Sequence, residues 1–300
     1  MLKYAAKEHR VPSRREPALR RPNANRCAAE FSATDTAEVL AFLKMRPVHT
    51  IVMAGFIRDN GIQSDLNRGK FYGYRDEKGN LEGVALIGHS TLVEARSDAA
   101  LSALAKVARQ SETSIHLVMS SGDSASDFWR EMTHGVRSSL LTCKEVLFDV
   151  AFPMVIPRSR REIRNADSSH LLAVAEAQAE VAFAECGVDP LVRDREGFLQ
   201  RVARRIEQGR VFVVTDGDEI LFKADIIAET DGVIYLEGVW VNEKRRGNGI
   251  GSECLAALTL QLLERADHIC MLSNVKFDRA HRVFERAGYR RVDHCTTLFA

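Results

Sequence analysis

Nowhere does this chain of 300 residues carry an apolar run approaching the roughly 20 residues that a membrane-spanning helix requires. Its first residues lack the apolar core of a secretory leader, so a cytoplasmic location is expected. Six cysteines are scattered along it without a single Cys-x-x-Cys pair. In a chain this long, that pattern predicts buried, reduced thiols in a reducing compartment rather than a disulfide framework. Charge of one sign is also missing. With a formal net charge of +1, neither nucleic acid nor a membrane surface is favoured as a partner. His268 and His294 stand apart from any second ligand at metal spacing, which leaves no metal site expected. The 45% hydrophobic share is enough for real cores, and the length suits two domains.

What is present divides unevenly. Residues 1–30 are rich in Arg, Lys and Pro without apolar periodicity and read as a flexible basic tail. A nucleic-acid arm or a targeting peptide is the alternative there. From Phe31 onward helix and strand patterns alternate. "DTAEVLAFL" begins with a capping Asp and has one apolar face. "KFYGYRDEKGNLEGVALIGHS" reads as two strands joined by a turn. A Pro-punctuated basic link, "PMVIPRSRRE", follows the strand "CKEVLFDVAF", and the order then begins again. "FSATDTAEVLAF" (31–42) aligns without gaps on "IRNADSSHLLAV" (163–174), sharing an Asp, a Leu and an Ala. The chain therefore reads as a diverged repeat, 31–152 and 153–300.

The most informative stretch is "VWVNEKRRGNGIG", residues 239–251, a strand entering a glycine-rich turn directly before a helix. Gly247, Gly249 and Gly251 leave the backbone bare and tolerate unusual dihedrals. The first amides of the following helix have no intrahelical partner and carry partial positive charge, and Arg245 and Arg246 add cations. Such a turn suits a phosphate or pyrophosphate. A tight connection with no ligand uses similar residues. A P-loop is excluded because Gly-Lys-Ser/Thr is missing. A dinucleotide fold is excluded because the next strand ends at Ser273-Asn274 rather than at an acid.

"R-G-N-G-I-G" (246–251), placed after the hydrophobic strand "GVWV", resembles the acetyl-CoA pyrophosphate loop of the GCN5-related N-acetyltransferase (GNAT) superfamily. "N-V-K-F-D-R-A-H-R-V-F-E-R-A-G-Y" (274–289) is similar to that family's second block, and the likeness extends over about residues 160 to 300. The resemblance implies an α/β (α+β) fold of two tandem GNAT-like domains. Each would be a mixed, mostly antiparallel twisted sheet flanked by helices, and the first copy, lacking the glycine turn, would be degenerate. It also implies acetyl-CoA as co-substrate and an amine of a small molecule or protein as acceptor, attacking directly in a ternary complex. The protein would act as a monomer or homodimer. Non-catalytic binding of an acyl-CoA, or transfer of a longer acyl group, are the alternatives.

By the same resemblance the backbone of Val239, Trp240 and Val241 would hold the thioester and pantetheine arm, with Asn274 opposite. Arg246, Gly247, Asn248, Gly249, Ile250, Gly251 and Ser252 would surround the pyrophosphate. Many family members carry a Tyr in the last helix that protonates the leaving sulfur; here that place is Phe284, which would only line the cofactor site. Tyr289 reads as a core aromatic, and His281 as a helix-surface residue. From the residues themselves, Glu237 is the leading base, because a carboxylate in the apolar run "VIYLEGVWV" needs a reason. Lys223 is its expected partner, or a group that binds an acidic substrate. The resemblance adds Glu185, in the region where the family's early helices shape the acceptor site, as a weaker candidate base.

Overall fold

The computed structural model describes residues 28–152 and 161–300. Most of the basic tail and of the Pro-rich link therefore lie outside the described residues. The last two tail residues do not: Ala29–Glu30 is a short strand, β1.

In the first half β1 is followed by α1 (Thr36–Lys44), α2 (Pro47–Asn60), β2 (Gly69–Arg75), β3 (Leu81–Gly88), β4 (Ser90–Ala95), α3 (Asp98–Arg109), β5 (Leu117–Ser121), α4 (Ser124–Thr133) and β6 (Leu141–Ala151). The second half runs β7 (Arg164–Asn165), α5 (Leu171–Cys186), the single turn α6 (Pro190–Arg193), α7 (Arg195–Glu207), β8 (Val211–Asp216), β9 (Glu219–Glu229) and β10 (Val233–Val241). It closes with α8 (Ile250–Leu262), β11 (His268–Asn274), α9 (Asp278–Arg286) and β12 (Arg290–Phe299). Apart from α6, the second half repeats the first element by element.

Local chemistry sets the boundaries. Ser97 accepts a hydrogen bond from the Ala100 amide at the start of α3, and Asp194 does the same for Gly197 in α7. Gly217, at φ +58°, closes the β8–β9 hairpin in a conformation that favours glycine.

The two copies do not form separate sheets. All twelve strands join in one, in the order β1-β2-β3-β4-β5-β12-β6-β11-β10-β9-β8-β7. The final strands are exchanged between halves. β12 pairs antiparallel with β5 (Cys295 opposite Ser121), and β6 pairs antiparallel with β11 (Asn274 opposite Glu145). β6 and β12 lie side by side at the centre.

Core composition follows from that exchange. Phe148 and Val150 of β6 are buried with α8 and α9 of the second half, against Leu255, Met271 and Phe284. Leu298 of β12 is buried with Leu104, Phe128 and Trp129 of the first half. Trp129 is a packing residue there, its indole N–H donating to the Arg137 carbonyl at 2.7 Å. The opposite face of the second half is covered by α5 and α7, whose Val174, Phe198 and Val202 pack on Val211 and Val213. Helix α2 of the first half reaches over the same sheet. Ile51 is buried with Leu147, Tyr235 and Cys270.

A candidate acyl-CoA and acceptor cleft

Strands β10 and β11 run parallel, but they pair only from Val233–Tyr235 against His268–Cys270. Beyond Tyr235 they separate, although β10 continues to Val241 and β11 to Asn274. A bulge at Gly238, φ +59°, shifts the register of β10 on β9 and turns its last residues outward. A Cβ at Gly238 would come within 2.3 Å of Gln178 Oε1, so only glycine fits. The exposed edge of Val239, Trp240 and Val241 thus lines a wedge between strands, with Asn274, nearly buried, on the facing strand.

The glycine turn sits at the mouth of this wedge. Gly247 and Gly249 take φ +86° and +79°, and a Cβ at either would meet nothing within 4 Å. Among the described residues, the backbone N–H groups of Gly247, Asn248, Gly249, Ile250, Gly251 and Ser252 find no protein acceptor. Six open donors at the start of a helix of this length favour an anion. Ile250 turns its side chain into the core, and Gly251 packs tightly, a Cβ there lying 3.0 Å from Val241. The Ser252 hydroxyl donates back to the Gly249 carbonyl at 3.0 Å. Arg246 is tied down at one side, donating to the Val241 carbonyl at 3.0 Å and pairing with Glu180 at 2.5 Å. Glu180 also accepts from the Trp240 indole N–H at 2.7 Å, so one carboxylate of α5 fixes both strand and turn.

The Glu237 carboxylate lies at the floor of the cleft, open to solvent yet surrounded by protein. Burial raises its pKa above the usual carboxylate value. The Tyr235 hydroxyl, which donates to it at 2.9 Å, opposes that shift. Tyr235 is two residues earlier on the same strand face, a pairing that alternation in "YLE" implies and that sequence reading missed.

Lys223 is corrected by the structure. It is fully buried, its ammonium 2.9 Å from Asp225, and it donates to Gln178 Oε1 and, at 3.3 Å, to the Gly238 carbonyl. Asp225 is held in turn by Arg205 at 2.7 Å. Glu237 therefore does not have Lys223 as its partner, and Lys223 is closed off from any substrate. Burial depresses the lysine pKa while Asp225 opposes the shift.

Phe284 is corrected as well. It is 6% exposed and packs edge-on against Phe148, inside the core rather than along the wedge between β10 and β11. His281, read as a surface residue, is also buried, against Phe148 and Phe284, and neither of its ring nitrogens has a partner. Tyr289 is in the core, its hydroxyl 2.8 Å from that of Thr259. No hydroxyl of α9 reaches the wedge.

Glu185, on the last turn of α5, faces the same cleft. Its side chain is solvent-exposed, yet the protein crowded around it, with the Glu237 and Glu145 carboxylates nearby, pushes its pKa up to about 7. Glu145 comes from the exchanged strand β6. It accepts a hydrogen bond from the Thr297 hydroxyl at 2.5 Å, and burial raises its pKa. Its position depends on the strand exchange, which sequence patterning did not reveal. Cys143, two residues earlier, has its pKa raised by burial and remains a thiol at neutral pH.

Residues 207–291 match the family model described as an acetyltransferase (GNAT) domain, so this segment of the second half carries a GNAT domain. Solved structures of GNAT acetyltransferases share the fold of almost the whole chain. A GNAT-family acetyltransferase from Colwellia psychrerythraea is 15% identical, with a TM-score of 0.57 over 91% of this chain and 98% of its own. A tandem GNAT protein from the clavulanic acid biosynthesis pathway is 12% identical, with a TM-score of 0.56 over 91% and 97%. A Drosophila protein is 14% identical, with a TM-score of 0.64 over 92% and 99%. No curated protein sequence matches the chain. Among the described residues, no helix is long and apolar enough to cross a membrane.

Proposed function

We propose that the chain transfers an acetyl group from acetyl-CoA to an amine. The observation that carries this reading is the wedge between β10 and β11, which opens directly beneath six unpartnered amides at the start of α8. Those amides, from Gly247 to Ser252, suit the pyrophosphate of the coenzyme. The unpaired edge of Val239–Val241 and the side chain of Asn274 suit its amide-bearing arm. The coenzyme, when bound, supplies a thioester carbonyl. Backbone N–H groups of the β10 edge are the donors available to the charge that develops on its oxygen.

The chain's own groups meet the remaining demands. An ammonium has no lone pair, so a base must take its proton before attack. Glu237 is the proposed base, oriented by the Tyr235 hydroxyl, with Glu185 beside it as a proton acceptor whose pKa lies near neutrality. The buried thiol of Cys143 is a poor nucleophile, which favours direct attack by the amine over a covalent acyl-enzyme.

A second reading, an acyl-CoA-binding protein without turnover, is favoured by one observation: Phe284 stands in the core without a hydroxyl to protonate the sulfur. Calorimetry with CoA and a thiol-release assay with an amine panel decide between them. Binding with thiol release is expected. Binding without release for any amine would establish the second reading, and no binding would overturn both.

A further inference from the structure

We propose that Lys223, buried and out of reach of any substrate, is a positioning residue for acyl transfer. Its ammonium holds the Gly238–Val239 peptide so that the Val239 N–H faces the thioester oxygen. This role rests on the proposed transferase function and adds to it a residue that never touches the reactants.

Lys223 has no exposed surface, yet its three N–H donors have three partners. These are Asp225 at 2.9 Å, Gln178 Oε1 and, at 3.3 Å, the Gly238 carbonyl. Two of the partners define a face of the sheet. Asp225 follows Lys223 by two residues on β9, and Gln178 belongs to α5. Arg205 of α7 meets Asp225 on that face. The flanking Phe222 and Ala224 point the other way and are buried with Leu255 of α8. The Gly238 carbonyl is therefore drawn toward the face that α5 and α7 cover.

A trans peptide unit is planar, with its C=O and N–H on opposite sides. The N–H that shares a plane with the Gly238 carbonyl is that of Val239. It is aimed at the opposite face, the one that carries α8 and the open amides of the glycine turn. Gly238 and Val239 are also the two residues that the register shift leaves without a partner position on β9. The strand ladder does not set the plane of their peptide, and φ +59° at Gly238 lets it turn. The lysine sets it.

Packing alone does not account for a lysine here. Burying an ammonium is costly, and apolar side chains fill such a site as well or better. Asp225 has Arg205 at 2.7 Å without it. Among the described residues, two cations share this one carboxylate, and the surplus positive charge lies against the Gly238 carbonyl. A cation on the carbonyl polarises the peptide, which strengthens the N–H at its other end as a donor. A donor fixed in place before reaction is what an oxyanion forming on the thioester requires.

The test compares the full chain with its Lys223→Met variant, which puts an apolar side chain of similar length in the site and leaves Asp225 to Arg205. Thiol release from acetyl-CoA, with the amine that turns over fastest, gives kcat and KM. Calorimetry gives the CoA dissociation constant. The variant is expected to lower kcat by about a hundredfold, the size of one lost oxyanion-hole donor, with CoA affinity unmoved. Infrared spectra of bound acetyl-CoA, labelled with carbon-13 at the thioester carbonyl, give a readout that loss of stability does not move. The carbonyl is expected to absorb at lower frequency in the native chain than in the variant.

An unchanged kcat, or one frequency in both chains, would overturn the role of Lys223 while the transferase reading stands. If the variant does not fold, a crystal of the native chain with acetyl-CoA decides. The Val239 nitrogen on the thioester oxygen, with Lys223 on the Gly238 carbonyl, supports the role; an oxygen bonded to another donor overturns it. Failure to bind acetyl-CoA removes the transferase reading and this role together. Binding without turnover removes the transferase reading alone, and the carbonyl frequency still decides for Lys223.

Discussion

The two halves of this chain share an order of elements and differ at the point where the parallel strand pair meets the helix. In the first half β4 passes into α3 through Arg96 and Ser97 alone, and Ser97 closes the helix start with its own hydroxyl. In the second half β10 passes into α8 through Asn242 to Gly249, and the helix start is left open. The floor differs in the same sense. Glu94, late in β4, is met by Arg46, which donates to it at 3.0 Å and to Ser121. Glu237, midway along β10, accepts a hydrogen bond only from a tyrosine. One copy satisfies its polar groups internally and the other leaves them open, so a shared fold gives a scaffold in one place and a cleft in the other.

Variants in the two copies break or sharpen that contrast. The largest effect is expected where the halves are not independent. Phe148→Ala empties a fully buried site of the second core from a strand of the first half, costing about 3–5 kcal/mol in chemical denaturation. A small loss would mean that β6 is not held in the second sheet. Glu237→Gln is expected to lower kcat by about 10²–10⁴-fold with CoA affinity retained, as loss of a general base does. Glu94→Gln, on the strand pair of the first copy, would disturb stability alone, by unpairing Arg46.

Next in size, Gly249→Trp forces a side chain into the open cradle at positive φ. CoA affinity should fall by about a hundredfold or more in calorimetry, and circular dichroism should show the fold kept. In contrast, Ser97→Ala should cost about 1 kcal/mol of stability and leave CoA affinity alone.

The smallest effect is that of pH. Glu185 has its pKa raised to about 7, so the folded chain holds a proton through the range where the unfolded chain has lost it. Its contribution to stability therefore declines as pH rises from the ordinary glutamate range to about 7. Solvent screening keeps that decline modest for an open side chain. Deprotonation in the same range makes it available as a proton acceptor, so the acetylation rate should climb through neutrality. A flat rate profile from pH 6 to 8 would remove Glu185 from proton transfer.

The sequence alone determined the parts that depend on neighbours in the chain. Glycines at 247, 249 and 251 before an apolar helix, a carboxylate at 237 in an apolar strand, and the repeated order of elements are local patterns with local causes. What the tertiary structure decided is which distant groups meet. The alternation of β6 is the same whichever sheet it enters, since a strand's period fixes its faces but not its neighbour. The exchange of β6 and β12, and with it the placing of Glu145 in the cleft, was therefore not written in periodicity. Lys223 has Asp225 on its own strand as well as Glu237 on the next, and only the Gly238 bulge, with Gln178 above it, resolves that choice. His281 and Phe284 lie on a strongly amphipathic helix, and they turn inward because Phe148 arrives from the other half to cover them.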